Sequence, residues 1–222
     1  MERAKIMQKL QKKLVALILL CVLSVTCLAG CQKAVALTVK VGDATFTLED
    51  TVVSLYEQGL YLMKSVSQEL TLEQLGMVDA RTMGQEKYTI GVPTEDGVAY
   101  TGIYVRVYNE AYQAASVGEC KIYQVTYENI GMQEGVTKIA FGDVCINQDT
   151  PQDALDKMKA TGIDFVSDDA ENAERFTTEE YGYFVSMKIG NIGYKLYSEP
   201  NVSGSLITNG FEYQTYLDAD YN

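Results

Sequence analysis

One dipeptide, used twice in the same setting, constrains the fold of this 222-residue chain more than any other feature. Gly42-Asp43 and Gly142-Asp143 each sit between two short runs of alternating polarity. A two-residue hairpin turn needs positive φ, which glycine adopts without a Cβ penalty, so each segment reads as a tight β-hairpin. Pairing across the first turn sets Val41 against Ala44, Val39 against Phe46 and Leu37 against Leu48. Across the second it sets Phe141 against Val144 and Ile139 against Ile146. Each hairpin then has one apolar face. The opposite faces carry Thr38, Lys40, Thr45 and Thr47 in one, and Lys138, Ala140, Cys145 and Asn147 in the other.

A helix signal follows each hairpin. Thr47-Leu-Glu-Asp50 and Thr150-Pro-Gln-Asp153 place a capping Thr three residues before an acid, which suits the positive end of a helix. Pro151 falls at a first helical position, where a missing N–H costs nothing. Val52 and Leu55 match Leu155 and Met158 in spacing from the cap, and Gly59 and Gly162 stop both helices before Leu60 and Ile163. Ser67–Leu75 reads as a second short helix, and Asp164–Glu174 as a loop or a frayed helix. Tyr-rich runs at 100–108 and 120–127 favour strands, as do Gly182–Ile189 and Ile192–Ser198 around a Gly190-Asn191 turn. Val107-Tyr-Asn-Glu110 rhymes with Leu196-Tyr-Ser-Glu199, and Ile122-Tyr-Gln124 with Glu212-Tyr-Gln214. The expectation is an α+β fold of two tandem hairpin–helix–antiparallel-sheet units, residues 35–130 and 135–217.

The first thirty residues have a different logic. Residues 1–13 carry five basic side chains against Glu2, and residues 14–28 are apolar apart from Ser24 and Thr26. A basic stretch before a short apolar one is the pattern of an export signal, and fifteen residues are few for a span that needs about 20. An ordinary secretory signal and an uncleaved anchor are the other readings of this pattern. Leu28-Ala29-Gly30-Cys31 resembles the lipobox of bacterial lipoproteins. That resemblance implies cleavage between Gly30 and Cys31, a diacylglyceryl group on the Cys31 thiol, a linker over 31–34, and a place on the extracytoplasmic face of the cell membrane. No other cofactor is implied.

Removing residues 1–30 takes away five bases and one acid from 18 Lys+Arg and 30 Asp+Glu, and leaves a net charge of −16. Such a body is repelled by nucleic acid and by anionic headgroups, so no nucleic-acid partner is expected. Cys21 and Cys27 leave with the signal. Cys120 and Cys145 remain, and can pair as a disulfide or stay as separate thiols on strands.

The chain has no His, which excludes Ser-His-Asp and Cys-His nucleophile pairs and His-ligated zinc. It has no phosphate-binding glycine loop, no GxSxG elbow and no Cys-x-x-Cys. The acidic run Asp164, Asp168, Asp169, Glu171 and Glu174 lacks the spacing of a calcium loop, so no metal is expected. In overall organisation the chain resembles uncharacterised lipoproteins of Gram-positive bacteria. The two-unit layout is also similar to β-lactamase-inhibitor-protein-like folds, which bind proteins through a concave sheet. The resulting expectation is a non-catalytic protein, held to the membrane by its lipid, binding an envelope protein or glycan through a sheet face. A carboxylate-dependent hydrolase and a small-solute-binding lipoprotein are the alternatives.

Overall fold

Alternation of apolar and polar residues builds most of the structure into antiparallel sheet. The computed structural model describes residues 34–65, 68–95, 97–127, 138–165, 174–178, 182–200 and 203–216. The lipobox-like stretch Leu28–Cys31 and the residues before it lie outside them. In chain order the elements are β1 (Val39–Val41), β2 (Ala44–Phe46), α1 (Val52–Glu57), β3 (Tyr61–Ser65), β4 (Gln68–Glu69), β5 (Met77–Val78), β6 (Tyr88–Thr94) and β7 (Gly97–Tyr108). Then come β8 (Ala115–Ser116), β9 (Lys121–Tyr127), β10 (Ile139–Phe141), β11 (Val144–Cys145), α2 (Pro151–Ala160), β12 (Glu174–Thr178), β13 (Gly182–Ile189), β14 (Ile192–Pro200) and β15 (Leu206–Thr215).

Both hairpins form in the expected register, with Val39 opposite Phe46, Val41 opposite Ala44 and Phe141 opposite Val144. Gly42 and Gly142 have φ of 60° and 58°, the positive value a II′ turn needs at its first central position. The hairpins also pair with each other. β1 lies antiparallel to β10, which makes a four-stranded sheet in the order β11-β10-β1-β2.

The α+β expectation is overturned. Among the described residues two α-helices, of 6 and 10 residues, stand against fifteen strands, so the protein is a β-rich, mostly antiparallel fold. Nor does each half keep a sheet of its own. The long strands join in one nine-stranded sheet, in the order β12-β13-β14-β15-β9-β7-β6-β3-β4. The seam is β9 against β15, where Tyr127 faces Phe211 and Gln124 faces Gln214.

The first helix is shorter than its signals imply for a tertiary reason. Half of the Thr47 box forms: the Thr47 N–H donates to Asp50 Oδ2 at 2.7 Å, while the Thr47 hydroxyl accepts from the Glu49 N–H rather than from that of Asp50. The chain is then drawn into the large sheet: Thr51 bridges Lys121, and the Asp50 carbonyl accepts from the Ile122 N–H at 2.9 Å. The helix starts only at Val52, with Thr51 as its cap. After the second hairpin Thr150 caps α2 as expected, and Pro151 is its first residue. Both helices end alike. Gly59 and Gly162 have φ of 77° and 94°, and the N–H groups of Leu60 and Ile163 reach back to the carbonyls of Leu55 and Met158 at 2.9 Å. The short helix expected at Ser67–Leu75 is strand β4 followed by a single 3₁₀ turn, Leu72–Gln74, with Ser67 itself outside the described residues.

The small sheet packs on one face of the large one. Phe141 stacks on Phe211 with ring centroids 4.7 Å apart and planes within 6°, and lies 5.3 Å from Tyr213. Tyr127, Tyr194, Tyr213, Phe141 and Phe211 are among the largest fully buried side chains. Aromatic rings therefore fill the space between the sheets and supply much of the apolar burial.

Candidate interaction face

Residues on neighbouring strands that point away from the small sheet share the other face of the large one. Phe211 and Tyr213 point inward, so Glu212 between them points outward. Cross-strand register extends this position into a row across six strands: Thr89, Tyr104, Thr126, Glu212, Lys195 and Ser186. All six are half-buried, which is the exposure of side chains standing side by side on an uncovered sheet. The next row holds Arg106, Gln124, Gln214, Gly193 and the exposed Lys188.

Glu212 is the centre of a polar cluster. Its carboxylate accepts from Gln124 Nε2 at 3.3 Å and from the Tyr197 hydroxyl at 3.4 Å, and it faces Lys195 Nζ at 3.7 Å. Lys195 also lies 5.9 Å from the Phe184 ring and 5.8 Å from the Tyr197 ring. Burial alone would lower the Lys195 pKa, but the Glu212 carboxylate and Tyr197 hold it above its ordinary value. Burial raises the Tyr197 phenol. Lys195 therefore stays cationic and Tyr197 neutral at physiological pH. A matching aromatic–cation group stands across the seam. Lys87 Nζ sits 3.8 Å over the Tyr104 ring, and the Tyr104 hydroxyl bonds that of Tyr100. Flat rings flanked by donors and cations can stack on a sugar face or receive peptide side chains.

A cleft lies at the end of the large sheet where the two-stranded β5–β8 sheet sits. This cleft of about 780 Å³ is lined by Met77, Asp79, Met83, Glu86 and Tyr88 among others. Burial, and then Glu86, raise the Tyr88 phenol. Its wall is pinned by Asn109, whose Nδ2 donates to the carbonyls of Val78, Asp79 and Gln113 at 3.0, 3.1 and 2.8 Å.

The expected lipidation site, Cys31 with Gly30, lies outside the described residues, as do Asp168, Asp169 and Glu171 of the acidic run. Asp164 pairs with Lys159 at 2.8 Å. Among the described residues no group of three or more Cys, Asp or Glu side chains gathers to hold a metal ion. No described helix is long and apolar enough to cross a membrane.

Cys120 and Cys145 are both free thiols. Cys145 is half-buried in the small sheet opposite Ala140. Cys120, just before β9, is 2% exposed, and its thiol donates to the Ser116 carbonyl at 3.3 Å. Burial, then the neighbouring Glu119, push the Cys120 thiol up to about 11. Alkylation of the native protein at pH 8 is therefore expected to modify Cys145 and spare Cys120, which reacts only after denaturation. Peptide mapping reads this, and equal native labelling of the two would contradict the burial argument. Because the folded pKa is raised, the stability this thiol contributes is full below the unfolded thiol's pKa, about 8.5. It fades as pH rises toward 11.

Neither Lys195, Glu212 nor Tyr104 stood out in the sequence as a site residue. The signal that could have marked them is alternation in β14 and β15, where Lys195, Tyr197, Glu212 and Gln214 interleave with buried Tyr194, Leu196, Phe211 and Tyr213. Compared with protein-family models, curated proteins and solved structures, the chain matches none.

Proposed function

We propose that this chain is a lipid-anchored protein of the extracytoplasmic face of a bacterial membrane. In this reading it binds an envelope protein or a cell-wall component across the open face of its nine-stranded sheet, without catalysis. The observation that carries it is the six-strand row centred on Thr126 and Glu212, which no described element covers. The lipobox-like Leu28–Cys31 supplies the anchor, and the absence of His from the chain supports a binding rather than a catalytic role.

We also take residues 35–130 and 135–217 as two copies of one unit. Support comes from the seams: Lys40 pairs with Ala140 and Gln124 with Gln214, partners that hold like positions in the two halves.

The test is cross-linking of the tagged, full-length protein in cells, with mass spectrometry of what is captured. Thr126→Arg places a long cation in the middle of the face. It is expected to abolish capture of the partner while the thermal midpoint stays within a few degrees, since Thr126 is half-exposed. Capture unchanged by Thr126→Arg overturns the face as the site. The cleft beside Met83 and Tyr88 favours a second reading, small-solute binding, because its volume lies in the range of ligand pockets. A small molecule that co-purifies with wild type and is lost in Met83→Trp would move the site there.

A further inference from the structure

Residues 34–37 form no regular element, yet two of their backbone groups are pinned by buried tyrosines. The Tyr194 hydroxyl donates to the Val35 carbonyl at 2.6 Å, and the Leu37 N–H donates to the Tyr213 hydroxyl at 2.9 Å. These two phenols sit on adjacent strands with their rings stacked at 5.6 Å, so the two pins are themselves rigid. The segment also threads past three glycine turns. A Cβ on Gly190 would lie 3.9 Å from Ala34, one on Gly162 would lie 3.7 Å from Val35, and one on Gly142 would lie 3.3 Å from Leu37. All three glycines have positive φ. The strap therefore touches the β13–β14 turn, the end of α2 and the β10–β11 turn. A loose linker has no such fastenings.

We propose that this strap seats the protein end-on against the lipid bilayer, with the Gly190-Asn191 turn as its membrane-proximal end. The inference rests on acylation of Cys31, the anchor of the proposed function. Cys31 precedes Ala34 by three residues, a span of at most about 11 Å even when fully extended. An acylated cysteine is held at the headgroup level, so Ala34 and the turn it touches cannot move far from that level. The partner is the lipid surface itself. Chemistry at this end suits it: Lys188 is exposed with Nζ 4.3 Å over the Tyr216 ring, and Tyr216 is 44% exposed. Cations and tyrosines are the side chains that rest among headgroups. The strongly acidic remainder is repelled from an anionic surface, which opposes lying flat.

The orientation has a consequence for binding. The β13–β14 turn is at one end of the strands, so the strands run outward from the bilayer. Thr94 and Glu95, at the β6–β7 turn, are at the far end. The open face then stands clear of the lipid, available to a partner beside it.

The experiment uses full-length processed protein in a Cys145→Ser background, reconstituted in phosphatidylglycerol–phosphatidylethanolamine vesicles. A fluorophore is attached at Asn191→Cys or at Glu95→Cys, both against nitroxide-headgroup lipid. Quenching is expected to be severalfold stronger at 191 than at 95. A twenty-residue Gly-Ser linker inserted between Lys33 and Ala34, with a root-mean-square span of roughly 25 Å, is expected to erase most of that difference while acylation persists. Intact mass reports acylation in each sample. Equal quenching at both positions in acylated protein overturns the seating and leaves the anchor standing. Unacylated Cys31 overturns both.

Discussion

Replacing Cys31 with alanine is expected to leave the full-length precursor uncut and to remove diacylglyceryl from the protein entirely. In the proposed reading the lipid is attached to the Cys31 thiol, which alanine lacks, and in the resembled family the chain is cut before that cysteine. The effect is all-or-none because anchoring strength is steep in chain number. Each buried CH₂ contributes about 0.8 kcal/mol, so one acyl chain binds marginally while two hold stably. Nothing in the acidic body compensates, since its net charge of −16 after residue 30 disfavours anionic headgroups. Metabolic labelling with a fatty acid and the intact mass of the product are the measurements. A variant that is cut, labelled and fractionated like wild type would show that Leu28–Cys31 is not a lipobox.

The parts of the fold that could be read from the sequence are those decided within about fifteen residues. The registers of both hairpins follow from a glycine and a two-residue repeat, and Val39 opposite Phe46 needs no distant partner. The helix stops at Gly59 and Gly162 are equally local. The start of α1 is not. Thr47 carries a sound capping signal, but the bridge from Thr51 to Lys121, seventy residues away, decides where the helix begins. The fold class escapes a local reading for the same reason. Cap and stop residues mark where helices can exist, but nothing local announces that β9 and β15 will pair and merge two sheets into one.

The candidate face was only partly legible. Alternation separates the two sides of β9, β14 and β15, yet it does not tell which side meets the small sheet. Tyrosine makes this worse because it serves both. Tyr127, Tyr194 and Tyr213 are fully buried between the sheets, whereas Tyr104 and Tyr197 stand on the outer face. The buried ones find polar partners for their hydroxyls in Asn147, Val35 and Leu37, which no periodicity reveals.

Phe141→Ala is expected to be the most damaging single core change. Phe141 is fully buried and joins the small sheet to the large one, stacked on Phe211 and tilted against Tyr213. Truncation removes the transfer energy of the ring and leaves a cavity between two sheets that cannot close without breaking the β1–β10 pairing. Losses of this kind are about 3–5 kcal/mol, set against a total stability of roughly 5–15 kcal/mol for an ordinary domain. Phe141→Leu keeps most of the volume and the apolar contact but loses the stacking, and should cost about 1–2 kcal/mol. Equilibrium denaturation of the detergent-solubilised protein measures both. The large sheet does not depend on Phe141 for its hydrogen bonds, so the variant should lose the environment of the buried tyrosines before it loses strand content. Near-ultraviolet circular dichroism in mild denaturant would then fall ahead of the far-ultraviolet signal. Coincident loss of the two signals would mean that the small sheet is required for the nine-stranded sheet to exist, and that the aromatic stack is the folding core of the whole protein rather than a joint between two layers.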